Sequence, residues 1–481
     1  MQIPAVFQRK ILSSVCAGIL LLLLQACSTT YPGLPNLPEK DWLAPDKPSP
    51  SAQGEKFAIY SPDKTLTMDD LVWLAIQQSP VISKGKINLE ISEISNTDDK
   101  WRYLPEMHLS YHITNNITKY NEGTKYAGKD YGQTTYELTF TGSYTNPITT
   151  FLNVKAQDEL LQAAIITQRK AISEVIFKIA SSLLRINMLE ESIGILDRQV
   201  SLARKRLESS SLRSALSNSA LHSATANESS LAGLELHQQE MKMELTVERS
   251  TLKQLVGLDL KQALKVDSKS VYALLANFDP EKDDWKTCWE RTEERYLARQ
   301  QVRLEQANVY LAWASYLPRV GLGINESPGK GQSQLVNAQT DQFLHIGLDF
   351  PLLDWGHRWR TADMASLRAR QRKLDEVQKA REYEQEWELR GQKLLLARAK
   401  EARWQQTAKS AAGSSEAMQI SFEHGGASYE MLADQVQREL DAEMAAIRAK
   451  NEAALSKLTW VHFASGLSNH YMGPAGYESA K

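Results

Sequence analysis

The side chains of this 481-residue chain whose types and spacing could do chemistry fall in a few places. His108 and His112 stand four residues apart, a spacing that chelates a metal when both occupy one helix face. Here they lie in a segment of period two, where Met107, Leu109, Tyr111 and Ile113 alternate with His108, Ser110, His112 and Thr114. Four strand residues cover about 13 Å, so one chain cannot close both imidazoles on one ion, and no metal is expected. Asp69-Asp70 and Asp283-Asp284 offer paired carboxylates of the kind acid–base catalysis uses. Each pair opens a helical pattern, where acids answer the first-turn amides and the helix dipole, so both read as caps. The chain has no phosphate-cradling glycine loop, no zinc-protease helix motif and no nucleophile elbow with His and Asp partners. A protein without catalysis or cofactor is expected.

The thiol of Cys27 has a different chemistry. Arg9 and Lys10 precede an apolar run from Ile11 to Leu24, which at about 14 residues is too short to span a bilayer and reads as a signal segment. It closes on Leu24-Gln25-Ala26-Cys27, which resembles the lipobox of bacterial lipoproteins, so residues 1–26 are expected to leave and Cys27 to be acylated. Acyl chains anchor at about 0.8 kcal/mol per buried methylene, enough to hold a protein on lipid without a spanning helix. Ser28 stands where lipoproteins kept at the inner membrane carry Asp, which implies the outer membrane. With Cys16 lost and Cys27 acylated, Cys288 is left without a disulfide partner. A formal charge of −2, from 56 basic and 58 acidic residues, gives no reason to expect nucleic acid. Prolines crowd residues 27–65, which read as a tether laid along the body.

The elements that would position these residues come twice. Trp101-Arg102-Tyr103-Leu104-Pro105 returns as Ala314-Ser315-Tyr316-Leu317-Pro318, each between a helical pattern and an alternating one. Residues 66–260 and 283–467 are therefore read as two repeats, joined by a linker at 261–282 and followed by a tail at 468–481. In the first, Leu71, Leu74, Ala75, Val81 and Ile82 form an apolar helix face that Ile87, Ile91 and Ile94 continue. Four two-faced strands are predicted at about 106–115, 134–144, 319–326 and 343–351, each the length that crosses a bilayer when tilted. Their polar positions, among them His108, His112, Glu137, His345 and Asp349, would face a lumen. Trp101, Tyr103, Tyr144, Trp313, Tyr316 and Trp355 fall at one end of all four and would form a girdle at the periplasmic interface. The alternation also suits a soluble sandwich; the lipid signal and the girdle argue for a barrel.

Four strands cannot close a barrel, and open edges in lipid leave backbone groups unpaired at several kcal/mol each. Copies must share the wall: two would give eight strands and three would give twelve, and the residues alone do not choose. Proline is absent between Pro147 and Pro280 and between Pro351 and Pro474. Each stretch is rich in helix formers and breaks near its middle, at Ser209 to Ser219 and at Gly425-Gly426, giving two pairs of long helices. About 60 residues from Thr149 to the serine cluster make roughly 90 Å of helix, which suits a coiled-coil tube.

Taken together, the order Leu66-Thr67-Met68-Asp69-Asp70-Leu71 followed by Ser79-Pro80, the two Tyr-Leu-Pro strand starts, Leu348-Asp349-Phe350-Pro351-Leu352-Leu353-Asp354-Trp355-Gly356, and Phe422-Glu423-His424-Gly425-Gly426-Ala427-Ser428-Tyr429 resemble the TolC-like outer-membrane efflux proteins over nearly the whole mature chain. The resemblance implies a mainly α fold with a β-barrel portion: a homotrimer with a twelve-stranded barrel in the Gram-negative outer membrane, above a helical tunnel that meets a periplasmic adaptor and an inner-membrane pump of RND, ABC or MFS type. It implies adaptor contacts at the two helix tips, Gly425, Gly426, Ser428 and Tyr429 in one and Ser211 and Ser214 in the other, and a place for Asp434 at the periplasmic aperture. The chain departs from the pattern at Met431, where the family's best-known member has a second acid, and at Ser211 to Leu216, which lack the usual glycine. The expected function is passive conduction of solute out of the periplasm; the alternative is a lipid-anchored coiled-coil scaffold without a pore.

Overall fold

Thr67 starts the first helix, α1 (Met68–Gln78), by a capping box: its Oγ1 accepts from the Asp70 amide at 3.4 Å and its own amide donates to Asp70 Oδ2 at 3.1 Å. The computed structural model describes residues 64–101, 106–115, 132–141, 147–214, 218–279, 282–328, 340–349 and 354–473, and within the strands it describes the backbone. Cys27, the tether, Tyr103, Tyr144 and the last eight residues lie outside the described part. Ser79 ends α1, and Pro80, which lacks an amide hydrogen that the first turn does not need, opens α2 (Pro80–Trp101). Strands β1 (Glu106–Asn115) and β2 (Gly132–Thr141) follow, then α3 (Pro147–Ser214) and α4 (Asn218–Val256). A short α5 (Ser270–Ala276) links to the second series: α6 (Trp285–Glu290), α7 (Glu293–Ala314), β3 (Arg319–Pro328), β4 (Thr340–Asp349), α8 (His357–Glu423) and α9 (Tyr429–Phe463), closed by α10 (Gly466–Met472). The element order repeats, with helices of 22 and 22, 68 and 67, and 39 and 35 residues in matching places.

The four strands form one antiparallel sheet in the order β1-β2-β3-β4. β1 and β2 pair along their whole length, from Glu106 opposite Thr141 to Asn115 opposite Gly132. β2 meets β3 over a shorter stretch, from Leu138 opposite Glu326 to Thr141 opposite Gly323, so β1 and β4 are the sheet edges. The strands begin and end within a few residues of the expected limits, β2 and β4 starting earlier because ladder pairing continues past the alternating side chains. No described helix is long and apolar enough to cross a membrane.

One expectation is narrowed and another needs correction. The helix α3 continues to Ser214 and α4 begins at Asn218, so the junction lies inside the expected Ser209–Ser219 break, toward its far end. Ser209 and Ser211 donate their hydroxyls to the carbonyls of Arg206 and Glu208, both at 2.8 Å, a back-bonding that lets serine persist inside a helix. The apolar face of α1 also stops sooner than the pattern indicates. Leu71, Leu74, Ala75 and Ile82 are buried, but Val81, Ile87, Ile91 and Ile94 are more than half exposed, because α2 is covered along one flank, by α3.

The core follows the helix seams. Ile176, Ile179, Leu183, Leu184 and Ile186 of α3 are sealed against neighbours that include α1 and α4. Further along, Leu189, Ile195 and Leu196 of α3 cluster with Met241 of α4 and with Leu440 and Met444 of α9, joining the two halves. A third cluster is aromatic: Trp289, Tyr383, Trp387 and Trp460 around Cys288 and Leu394. Cys288 is free and buried, and burial pushes its thiol up to about 11, which makes it inert rather than reactive.

Candidate functional site

The tip of the second helix pair is built by its own residues. Gly425 has φ +77°, its amide donates to Phe422 O at 3.0 Å, and the Gly426 amide donates to Ser421 O at 2.8 Å. This is a Schellman cap, which needs the left-handed conformation that glycine supplies. Ser428 then caps α9, its Oγ accepting from the Met431 amide at 3.3 Å. Tyr429 packs edge-on against Phe422, centroids 6.3 Å apart, and its buried Oη finds no partner among the described residues. Burial raises the Tyr429 phenol, and the nearby Arg206 only partly offsets it. On the other tip Ser211 is exposed, while the side chain of Ser214 lies outside the described part.

Asp434 sits about one turn further into α9, exposed, with Oδ1 3.2 Å from Arg206 Nη2 of α3. Arg206 is mostly covered, and neither its Nε nor its Nη2 makes a hydrogen bond among the described residues, so its contact with Asp434 is an ion pair by proximity alone. Up the same seam Gln199 Nε2 donates to Asp441 Oδ1 at 2.9 Å, and Arg198 pairs with Glu443. Three polar links therefore hold the second helix pair against α3 near the tips.

A second polar cluster lies at the opposite end of this seam, where the two repeats and the C-terminus converge. Arg169 Nε of α3 is 3.1 Å from Glu293 Oε1, with both side chains about a tenth exposed. Ser465 donates to Glu293 Oε2 at 2.5 Å, and Arg169 reaches Asn469 Oδ1 at 2.9 Å and Gly473 O at 2.6 Å. Burial raises the Glu293 carboxyl, but donors from Ser465, Ser468, its own backbone and Arg169 outweigh that and leave it below the usual range. Beside it His462 stacks on Phe177, centroids 4.6 Å apart. Its Nδ1 lies 3.3 Å from Ser173 Oγ and its Nε2 lies 3.5 Å from Glu174 Oε1. Burial dominates and lowers the His462 pKa despite Glu174.

The backbone puts His108 opposite Thr139, His112 opposite Thr135, Glu137 opposite Ser110, His345 opposite Gly323 and Asp349 opposite Arg319. The directions of those side chains lie outside the described part. At the strand roots Trp101, Trp313 and Trp355 are exposed, and Trp313 stacks on Tyr316 at 5.6 Å. Asp284 occupies the N-cap of α6 as the sequence implies, but its side chain makes no cap bond. Among the described residues no group of His, Cys, Asp and Glu could hold a metal.

No family model and no curated protein matches the sequence. Solved structures do match in shape. The CmeC outer membrane channel of Campylobacter jejuni superposes with a TM-score of 0.66 at 14% identity, covering 83% of this chain and 85% of that one. The outer membrane protein VceC of Vibrio cholerae gives 0.63 at 16% identity over 82% and 95%. The open state of the Neisseria gonorrhoeae MtrE outer membrane channel gives 0.67 at 13% identity over 83% and 89%. The chain has the TolC-like fold.

Within that TolC-like fold the sequence pointed to Asp434 but not to Arg206, which pairs with it from 228 positions away in the chain. Arg206 is one of many basic residues on α3, and no local pattern marks it. The Arg169–Glu293–Ser465 cluster was equally hidden, since its members come from three elements.

Proposed function

We propose that the chain is the outer-membrane channel component of a tripartite efflux or secretion system, lipid-anchored through Cys27, and that it works as a homotrimer. The carrying observation is the TolC-like fold: a four-stranded sheet with two unpaired edges joined to helices of 68 and 67 residues, about 100 Å long. Pairing β4 of one copy with β1 of the next removes both edges, and three copies give twelve strands and a lumen. His108, His112, Glu137, His345 and Asp349 are assigned to that lumen as rings. Solute is conducted passively, handed over by an adaptor and an energised inner-membrane pump of RND, ABC or MFS type; the chain supplies the duct and its gate.

The gate is assigned to the tips. A pair whose carboxylate is exposed, such as Arg206–Asp434, is worth about 0–1 kcal/mol, so it holds the aperture only together with Arg198–Glu443 and Gln199–Asp441. A latch of such weak links opens when a docked partner offers comparable contacts. Gly425, Gly426 and Ser428 shape the tip that the adaptor meets, with Tyr429 beneath it and Ser211 and Ser214 on the other tip. The test is planar-bilayer recording of the purified full-length protein. Discrete single-channel steps are expected, and Asp434→Ala should raise the conductance and weaken cation block from the periplasmic side. A protein that gives no steps is the pore-free scaffold, and unchanged currents in Asp434→Ala remove that residue from the gate.

A further inference from the structure

We propose that the start of α8 is a binding site for anionic phospholipid headgroups of the periplasmic leaflet, made by Trp355, Trp359 and Arg360. It rests on the channel reading, which sets the strand roots at the membrane surface. Trp355 is 82% exposed and Trp359, one turn later, 59%, and large aromatics in water at a strand root are the side chains that settle at a lipid interface. Trp355 is held there with φ +53°, a conformation bulky residues rarely adopt. The turn is fixed by Asp354, whose Oδ1 accepts from the Gly356 amide at 3.1 Å and whose Oδ2 accepts from the Arg358 amide at 3.0 Å. These bonds occupy the Asp354 carboxylate, so the recognition falls to side chains.

Charge sets the class of ligand. Residues 357–373 carry six basic side chains against one acid, Asp363, whereas the matching stretch of the first repeat, 147–163, carries Lys155 against Asp158 and Glu159. The two helices are copies of one element, so the scaffold does not require the basic residues. Arg358 leans on Asp354 at 3.6 Å, but among the described residues no carboxylate pairs with Arg360 or Arg368, both exposed. The Arg360 guanidinium lies against the Gly356 turn, 3.3 Å from where a side chain there would begin, and offers planar donors for a phosphate diester, while the exposed indoles offer an apolar platform for glycerol and the first methylenes. Arg360 lies in the first turn, within reach of headgroups. Arg368 is eight residues, about 12 Å, further from the membrane, beyond the screening length of about 8 Å in physiological salt.

The test uses the full-length protein in phosphatidylcholine vesicles with trace spin-labelled phosphatidylglycerol or phosphatidylcholine, reading the protein-immobilised fraction of each. The wild type should immobilise phosphatidylglycerol several-fold over phosphatidylcholine. Arg360→Gln should reduce that preference by about fivefold, the factor for one basic residue at an anionic surface, and Arg368→Gln by less than twofold. Trp355→Ala with Trp359→Ala should lower the immobilised fraction of both lipids. The proposal is overturned if Arg360→Gln keeps the wild-type preference, or if Arg368→Gln matches it, which would mean a diffuse field rather than a site. Single-channel steps recorded from the same preparations separate the two readings: lipid preference without steps counts against the channel, and steps with no lipid preference count against this site.

Discussion

His462 and Glu293 share one junction yet answer acid in different windows. Burial holds the His462 pKa below its ordinary 6.5, so between that value and its folded one the unfolded chain binds a proton that the native site refuses. Its contribution is therefore full above about 6.5 and falls as pH drops through that window. The Glu293 carboxyl is depressed below its ordinary 4.5, so its stabilisation persists until pH falls below that value. Thermal denaturation of the detergent-solubilised protein should show a Tm that is level between about pH 8 and 7 and declines from about 6.5 downward. His462→Gln should flatten the first decline and leave the second; an unchanged slope would mean that His462 does not report on this junction. At this scale the sequence proposed single residues such as Asp434, while the Arg206 beside it lies too far off in the chain for a local pattern to name.

At the scale of elements, the clasp made by Arg169 joins α3 to α7 and, through Asn469 and Gly473, to the C-terminal segment. Replacing Arg169 with Ala leaves a carboxylate about 9% exposed without its cation, and breaking such a buried pair costs about 3–5 kcal/mol. Glu293→Gln, which removes the charge but keeps hydrogen-bonding atoms, should cost less. Chemical denaturation that finds Arg169→Ala within about 1 kcal/mol of wild type would show that the clasp is only a contact. The long helices themselves were legible from their missing prolines, and the second tip from Gly425-Gly426. The first tip falls inside the expected Ser209–Ser219 break but toward its far end, since Ser209 and Ser211 bond back to the preceding turn and the helix runs on to Ser214.

For the whole molecule, the duplication makes a demand that a single chain leaves unmet. Helix α7 lies between α3 and α8, whereas its copy α2 lies against α3 and, among the described residues, has no second long helix packed on it to the same extent. In the proposed homotrimer the missing neighbour, the counterpart of α3, is supplied by α8 of another copy. Ile87, Ile91 and Ile94 on α2 and Leu367 and Leu374 on α8 are all between 57% and 63% exposed, more apolar surface than a solitary chain usually leaves in water. Ile91→Lys should therefore shift the detergent-solubilised protein from the mass of a trimer toward that of a monomer. A wild type that is monomeric, or a variant that stays trimeric, would remove α2 from the proposed interface.

Periodicity and punctuation belong to neighbouring residues, so the chain on its own determined the strand positions, the two helix pairs, the glycine tip and the duplicated order. Which side chains meet across a seam depends on how far each helix has turned, 100° per residue, and on the register at which two helices pass. Only the tertiary structure could therefore decide that Arg206 faces Asp434, that Arg169 closes on Glu293, and that Ile87, Ile91 and Ile94 look outward from the chain that carries them.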